Sequence, residues 1–548
     1  MELTAGFPPQ YAAQLRDAGH WRGHLVIDDF AAACRRWPQH PAIIDHSSMT
    51  GKRTEVSYQN LSMRVETIAH GLLRLGVERG DVVSLQLPNW WQVVALHLAC
   101  LRVGAVTNVL MPIFRERELL FMLGLAESKV FIVPKRFRSF DYAAMAQKLR
   151  LRLPALQSVL VIGGVNNEDF DNALLTEASS DEDRDTFQKR HLSSEEIVQL
   201  AFTSGTTGEP KGVLHTSDTL LSNAIPFAEH LRLTHDDVLF MPSPLAHQTG
   251  FMFAMLPSLH VGATLVLQDI WDPAIATAII RDEKVTFSMG ATPFLTDLAT
   301  EAERTPSCFT TLRTFVSAGA PIPRDLVRRA AEAMDASILS CWGMSEIGAV
   351  TLSRPEDPPE KVSETDGRCL PGTEIRVVDN SRRVLPPNTV GRLEARACSM
   401  FCGYLKRPNL PAMDSDGWFD TGDLARIDED GYLRITGRAK DIIIRGGENI
   451  PVVEIENLLL GHAEVQDVAL VAMPDDRLGE RVCAFVVPKP GKAPSLGGLC
   501  AFLTDVGTAK AYLPEHLKII SEMPRTPTGK LQKFRLRSMA SSLVRQGC

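Results

Sequence analysis

The run Thr203–Gly212, TSGTTGEPKG, packs four hydroxyl side chains, three glycines and one lysine into ten residues. Thr203, Ser204, Thr206 and Thr207 could donate to phosphoryl oxygens, while Gly205 and Gly208 let the backbone approach them closely. Lys211 adds a cation. The run is not a Walker A loop, which ends Gly-Lys-Ser/Thr so that its lysine opens a helix. Pro210 stands where the last glycine would be and biases Glu209 away from the α region. The chain is therefore not expected to enter a helix at the lysine. Taken alone, a Ser/Thr/Gly run of this length also fits a flexible surface loop.

The elements that must hold such a loop follow from hydrophobic patterning. DVVSLQLPN reads as a strand, WWQVVALHLACLRVG as the helix after it and AVTNVLMP as a second strand; a helix, ERELLFMLGLAES, and a strand, KVFIVP, follow. This βαβαβ order predicts an α/β fold with a largely parallel sheet flanked by helices. Residues 179–196 are polar and charged and are expected to form an exposed connector. Beyond about residue 365, short turn-punctuated strands such as EIRVVD, GRLEAR and GYLRITG predict a small antiparallel or barrel-like subdomain. After GRAKDIIIRGGENI, a helix and two strands are expected, and residues 440–548 are long enough for a small α+β domain of their own. The predicted division is 1–439 and 440–548.

Bulk composition narrows the function. A chain of 548 residues exceeds one ordinary core, and its net charge of −8 offers no basic excess for general nucleic-acid binding. The ten cysteines are dispersed without a CxxC pair; Cys398 and Cys402 come closest, with no second pair nearby to complete a zinc site. They read as reduced thiols of a cytoplasmic protein. The N-terminus lacks the build of a signal peptide. The most apolar run, VVALHLACLRVGAVTNVLMPIF, is interrupted by His97, Arg102 and Pro112, so it reads as a buried helix and strand rather than a membrane span. Peripheral membrane contact stays open, and nothing here sets an oligomeric state.

The Thr203–Gly212 run has company. SAGAPI (317–322), CWGMSE (341–346), WFDTGD (418–423), GRAKDIIIRGGENI (437–450) and PRTPTGKLQK (524–533) follow it in order. Together these segments resemble the motifs of AMP-forming acyl-CoA synthetases, in the adenylate-forming ligase superfamily, across nearly the whole chain. The resemblance implies ATP, Mg²⁺ and coenzyme A as cofactor and co-substrates, a small carboxylic acid as partner, and a mobile C-terminal domain.

It also implies roles. Lys530 would bridge the substrate carboxylate and the α-phosphate, where charge grows on phosphorus. Glu346 would hold Mg²⁺, a cation that takes few protein ligands. Thr203 through Gly208 (with Ser204, Gly205, Thr206 and Thr207) and Lys211 would cradle the outgoing phosphates. Gly319, Ala320 and Pro321 would form the adenine-contacting turn. Trp342 would lie against adenine, with Gly343 and Met344 beside it, and Ser345 would reach the α-phosphate; tyrosine and threonine are commoner family residues at 342 and 345. Asp423 would accept from both ribose hydroxyls, with Arg438 and Ile435 nearby, although an aspartate in TGD is also a turn former. Lys440 would be the hinge, and Gly446, Gly447 and Glu448 would shape the pantetheine tunnel.

The acyl pocket would be lined by His247, Gln248, Thr249, Gly250 and Phe251 with Ala291, Thr292 and Pro293. His247 would border both the acyl and nucleotide sites. These segments are apolar and small and carry no carboxylate for an α-ammonium, which disfavours amino acids because that charge would be buried unpaired. Relatives activating dihydroxybenzoate have asparagine after the histidine, where Gln248 stands here. The texture is closest to cyclohexanecarboxylate–CoA ligases and bacterial short- to medium-chain acyl-CoA synthetases, so an alicyclic or short/medium aliphatic acid is expected. An adenylation enzyme serving a carrier protein in trans and a non-catalytic nucleotide-binding protein are the alternatives.

Overall fold

The computed structural model describes residue 7 and residues 9–546, apart from 166–167, 177–185, 204–208, 320–321, 411–412, 446–447, 476 and 527–530. Two parallel-rich sheets dominate. In the six-stranded sheet, Lys211–Thr216 pairs antiparallel with Ile197–Thr203, followed in space by Val106–Val109, Val82–Leu85, Val130–Pro134 and Ser158–Ile162, all parallel. Val82–Leu85, Val106–Val109 and Val130–Pro134 are buried at every position, as strands covered on both faces must be. The nine-stranded sheet has a parallel centre in the order Ser337–Met344, Thr314–Ala318, Phe287–Gly290, Val238–Met241, Thr264–Gln268, Pro41–His46. Antiparallel strands flank it on both sides.

One core joins the two sheets. Val83, Leu85, Val109 and Ile132 of the smaller sheet share it with Leu239, Leu265, Phe287 and Val316 of the larger. Helices Tyr58–Arg74, Trp91–Val103 and Ser217–His230 fill the space between. Trp91–Val103 is apolar nearly all round and buried on all sides, and Gly104, at φ +79°, ends it in the left-handed region. The alternate residues of the large sheet, including Phe240, Val266, Phe315 and Ile338, turn to a second core under Pro273–Asp282, Thr292–Arg304 and Arg324–Met334. No helix among the described residues is long and apolar enough to cross a membrane.

The subdomain beyond residue 365 is antiparallel, in the order Thr373–Val378, Gly391–Ala397, Phe419–Ile427, Leu433–Arg438. It is an open sheet rather than a closed barrel among the described residues. Its inner face is already covered by Val213, Trp342, Ile347 and Val350, so closure is not needed to bury it. The C-terminal sheet starts at Ile443–Arg445 and contains Val465–Asp475, Gly479–Pro488 and His516–Ile519. Val452–Leu460 and Leu496–Asp505 cover one face, and Lys533–Gln546 covers the other.

The exposed connector expected at 179–196 needs correction. Residues 177–185 lie outside the described residues, but Phe187 is 1% exposed and Leu192 is buried in the main core. The Arg102 guanidinium lies 4.7 Å from the Phe187 ring centroid, and Ser194 Oγ donates to Asp218 at 2.6 Å. One aromatic in a charged stretch is enough to anchor it. Phe187→Ala is therefore expected to lower stability by about 3 kcal/mol, whereas Lys189→Ala is expected to be near neutral; urea denaturation of the two variants checks this.

Candidate active site

Strand order assembles the candidate segments. Neighbouring parallel strands end at Met344, Ala318, Gly290 and Met241, and the chain leaving each carries one segment in turn. Ser345–Glu346 follows the first and Gly319 the second. Ala291–Pro293 follows the third, and His247–Phe251 lies in the chain after the fourth. Carboxyl ends of parallel strands are the ligand edge of such sheets. Segments expected at the nucleotide and at the acid thus sit side by side.

The chain does not enter a helix at Lys211, as its proline led one to expect. Thr203 and Lys211 are register partners across a hairpin, so the intervening chain connects two strands, and the next helix starts only at Ser217. Ser204, Gly205, Thr206, Thr207 and Gly208 lie outside the described residues. The Lys211 ammonium is 5.0 Å from the ring centroid of Tyr404. Glu209 pairs with Arg407.

Glu346 occupies the turn between Ser337–Met344 and Gly348–Leu352. Its side chain is buried, and Oε1 accepts from the Tyr404 hydroxyl at 2.8 Å. Two buried residues outside the expected set hold the turn. His215 is 2.8 Å through Nε2 from the Ser345 carbonyl. The Asn223 amide donates to Ala349 O at 2.7 Å and accepts from Ala349 N at 2.9 Å. Gly348 has φ +68°, and a Cβ there would come within 2.5 Å of Asn223 Oδ1, so glycine is required. A Cβ on Gly343 would meet Gly348 O at 2.1 Å.

Asp423 and Arg438 face each other across antiparallel strands, and Arg438 Nε meets Asp423 Oδ1 at 2.8 Å. From the large sheet, Trp342 Nε1 donates to Asp423 Oδ2 at 3.0 Å. Trp342 itself is 9% exposed and packs in the core of the antiparallel subdomain, so it serves as packing and as a polar donor at once. Ile435 N donates to buried Asp366 at 2.8 Å; burial raises the Asp366 carboxyl, with Arg434 opposing.

At the acyl segments, His247 caps a short turn, its Nδ1 accepting from Thr249 N at 3.2 Å. Gln248 is buried and paired reciprocally with Gln199: Gln199 Nε2 donates to Gln248 Oε1 at 3.0 Å, and Gln248 Nε2 to Gln199 Oε1 at 2.9 Å. Phe251–Met255 forms a π-helical turn, buried throughout. A Cβ on Gly250 would sit 2.4 Å from Pro244 O. Ala291, Thr292 and Pro293 start the helix Thr292–Arg304. A cavity of about 300 Å³ between helices Val26–Arg36, Tyr58–Arg74 and Trp91–Val103 is lined by none of the candidate residues.

Lys440 lies in the short turn Ala439–Asp441 between the antiparallel sheet and the C-terminal sheet. Burial, aided by Arg438 and Arg537 and opposed by Asp441, holds its ammonium below the ordinary lysine value. Arg537 ties this turn to the last helix through Asp441 Oδ1 at 2.7 Å and Lys440 O at 3.2 Å. Gly446, Gly447, Ala320, Pro321 and Lys530 lie outside the described residues; Glu448 opens the strand Glu448–Ile450. On either side of 527–530, Arg525 and Leu531 form a bridge, and Lys533 meets buried Glu456 at 2.7 Å. Among the described residues no cluster of three or more His, Cys, Asp or Glu could by itself hold a metal. The described cysteines are free.

Residues 30–405 match the AMP-binding enzyme family and residues 454–530 match the AMP-binding enzyme C-terminal domain. The chain belongs to the AMP-binding enzymes. It is 36% identical over 540 residues to a medium-chain fatty-acid–CoA ligase of Escherichia coli (strain K12), covering 98% of this chain and 94% of that one. It is 34% identical over 545 residues to a salicylyl-CoA synthase / salicylate adenylyltransferase of a Streptomyces species, covering 97% of each. The crystal structure of ATP-bound MatB from Rhodopseudomonas palustris superposes with a TM-score of 0.82 at 26% identity, covering 94% of this chain and 99% of that one. The protein is an AMP-forming acid–CoA ligase that uses a small carboxylic acid, ATP and coenzyme A.

His215 gives this site an acid limit. Burial pushes its ring down from 6.5 to about 4. Above pH 6.5 the ring is neutral in folded and unfolded chains alike. Below it the unfolded chain takes the proton first, so stability is lost between pH 6.5 and about pH 4, by about 3 kcal/mol from this residue. His97, pushed to about 3 by burial, adds to the loss over the same range. Denaturation curves at pH 7 and pH 4.5 should show a markedly smaller difference in His215→Gln than in the natural protein; equal differences would refute the assignment.

Proposed function

We propose that the acid is a medium-chain or alicyclic one, cyclohexanecarboxylate-like acids included. The observation that carries this reading is the closed Gln199–Gln248 pair. The amide at the position where dihydroxybenzoate-activating relatives place asparagine is engaged by its own chain, and next to it lies the apolar turn Phe251–Met255. An aryl hydroxyl brought there would have to break an amide pair to be satisfied, a cost of about 1–3 kcal/mol. An alkyl or cycloalkyl group breaks nothing. Aryl acids are the second reading, favoured by the similarity to the salicylate-activating enzyme; there the acyl group would pass to coenzyme A or a carrier protein.

In this reading the acid's carboxylate attacks the α-phosphorus of ATP, the bond to the β-phosphoryl oxygen breaks, and pyrophosphate leaves. The thiol of coenzyme A then attacks the acyl carbon, and AMP leaves. Asp423 receives the ribose hydroxyls, pre-aimed by Trp342 and Arg438. The turn at Ser345–Glu346, fixed by His215 and Asn223, presents a hydroxyl and a carboxylate to the triphosphate. Lys530 neutralises the two approaching anions. A buried single carboxylate completed by triphosphate oxygens fits Mg²⁺, which keeps most of its ligands outside the protein. Glu346 would hold it, and its charge would favour the departure of pyrophosphate. Lys440 is the proposed hinge between 1–439 and 440–548. Support for it is the short three-residue turn between two sheets, held on one side through Arg438 to Asp423 and on the other through Asp441 to Arg537. Rotation there would exchange Lys530 for Gly446 and Gly447, beside which the pantetheine thiol would enter.

Two measurements test this. Thioester formation with octanoate and cyclohexanecarboxylate should exceed that with salicylate by at least about tenfold in kcat/KM, the equivalent of 1.4 kcal/mol; preference for salicylate refutes the proposed acid class. Lys530→Ala should abolish acid-dependent exchange of pyrophosphate into ATP yet largely spare thioester formation from supplied acyl-AMP, and equal loss of both would refute the exchange of faces.

A further inference from the structure

Tyr404 contacts two of the proposed phosphate-handling groups, and neither composition nor motif spacing points to it. Residues 402–405 run beside the strand that carries Lys211: Cys402 N donates to Leu214 O at 2.8 Å, Leu214 N to Gly403 O at 3.2 Å, and Leu405 N to Gly212 O at 2.8 Å. This pairing sets Tyr404 opposite Val213. The neighbouring Phe401 N donates to the Glu346 carbonyl at 2.7 Å, and the Phe401 and Tyr404 rings meet edge to face at 4.7 Å. One short segment therefore holds Glu346 twice, by its backbone through Phe401 and by its carboxylate through the Tyr404 hydroxyl at 2.8 Å. The face of the same tyrosine ring meets the Lys211 ammonium.

We propose that Tyr404 is a positioning residue for the metal–triphosphate complex, its hydroxyl orienting the Glu346 carboxylate and its ring orienting Lys211. This rests on the reading of Glu346 as the cation's protein ligand. A glutamate has three rotatable bonds, and even a buried one can present its oxygens in more than one direction. A fixed donor on Oε1 removes the last of these freedoms and sets where the other oxygen points. Such outer partners of ligating carboxylates are worth about 10–100-fold in metal affinity. The ring acts separately, since a cation over an aromatic face keeps its attraction when the hydroxyl is removed.

The test is a titration of Mn²⁺, followed by electron paramagnetic resonance, into the full-length protein saturated with α,β-methylene-ATP, which cannot be cleaved at the reacting bond. Tyr404→Phe keeps the ring and the strand pairing and should weaken Mn²⁺ binding about tenfold or more. Glu346→Gln should weaken it further, and adding Tyr404→Phe to Glu346→Gln should cost nothing more, because the hydroxyl acts only through that carboxylate. Tyr404→Leu should additionally weaken binding of the analogue in the absence of metal, through Lys211. Unchanged Mn²⁺ affinity in Tyr404→Phe, with Glu346→Gln impaired, overturns the role of Tyr404. Additive losses in the double variant overturn it too. If Glu346→Gln binds Mn²⁺ normally, the underlying reading of Glu346 falls and the inference falls with it, whereas the choice of acid depends on neither result.

Discussion

A single buried carboxylate joins the parts of this molecule. Asp423 takes Trp342 Nε1 on one oxygen and Arg438 on the other, and it is only 4% exposed. Trp342 belongs to the parallel sheet, Asp423 and Arg438 to the antiparallel one, and the turn Ala439–Asp441, the proposed hinge, begins at the residue after Arg438. A charge in that setting is tolerable only with strong donors fixed around it. The donors in turn fix how the antiparallel subdomain abuts the ends of the parallel strands. In the proposed reading, nucleotide recognition and interdomain geometry would therefore share one anchor.

The rest of the site is a consequence of strand order. Four adjacent parallel strands deliver the turn of Glu346, the turn of Gly319, the helix start at Ala291 and the His247 segment to one edge. Reactions between two bound molecules gain chiefly from holding them at the right separation. In the proposed reaction that separation would be set by the spacing of strands in a sheet. Buried polar residues behind the edge (His215, Asn223, Gln199) lock the turns in place, and each does so with groups on its own chain.

Much of this was legible in the sequence because it is local. The unbroken apolarity of Trp91–Val103, the strand runs on either side of it and the proline before Lys211 each act within a few residues. The absence of a helix at Lys211 and the helix and two strands that follow residue 450 appear as patterning placed them, whereas the hairpin pairing of Thr203 with Lys211 is seen only in the structure. What was not legible acts at long range. Tyr404 and Glu346 are 58 residues apart, Trp342 and Asp423 81, and His215 and Ser345 130. No periodicity encodes such pairs. Phe187 shows the same limit from another side, because its charged neighbours mask an aromatic anchor. The open edge of the antiparallel sheet followed from core residues donated by other parts of the chain. A histidine in an otherwise apolar strand, GVLHT, was the one sequence signal that could have exposed part of the second layer.

The most direct measurement compares the dissociation constants of ATP and 2′,3′-dideoxy-ATP in the natural protein and in Asp423→Ala. Hydrogen bonds to a charged group contribute about 1.5–3 kcal/mol each, so the natural protein should favour ATP by well over tenfold, and the variant should bind both nucleotides alike. If the preference for the intact ribose survives the loss of the carboxylate, Asp423 does not read the sugar and the account built around it is wrong.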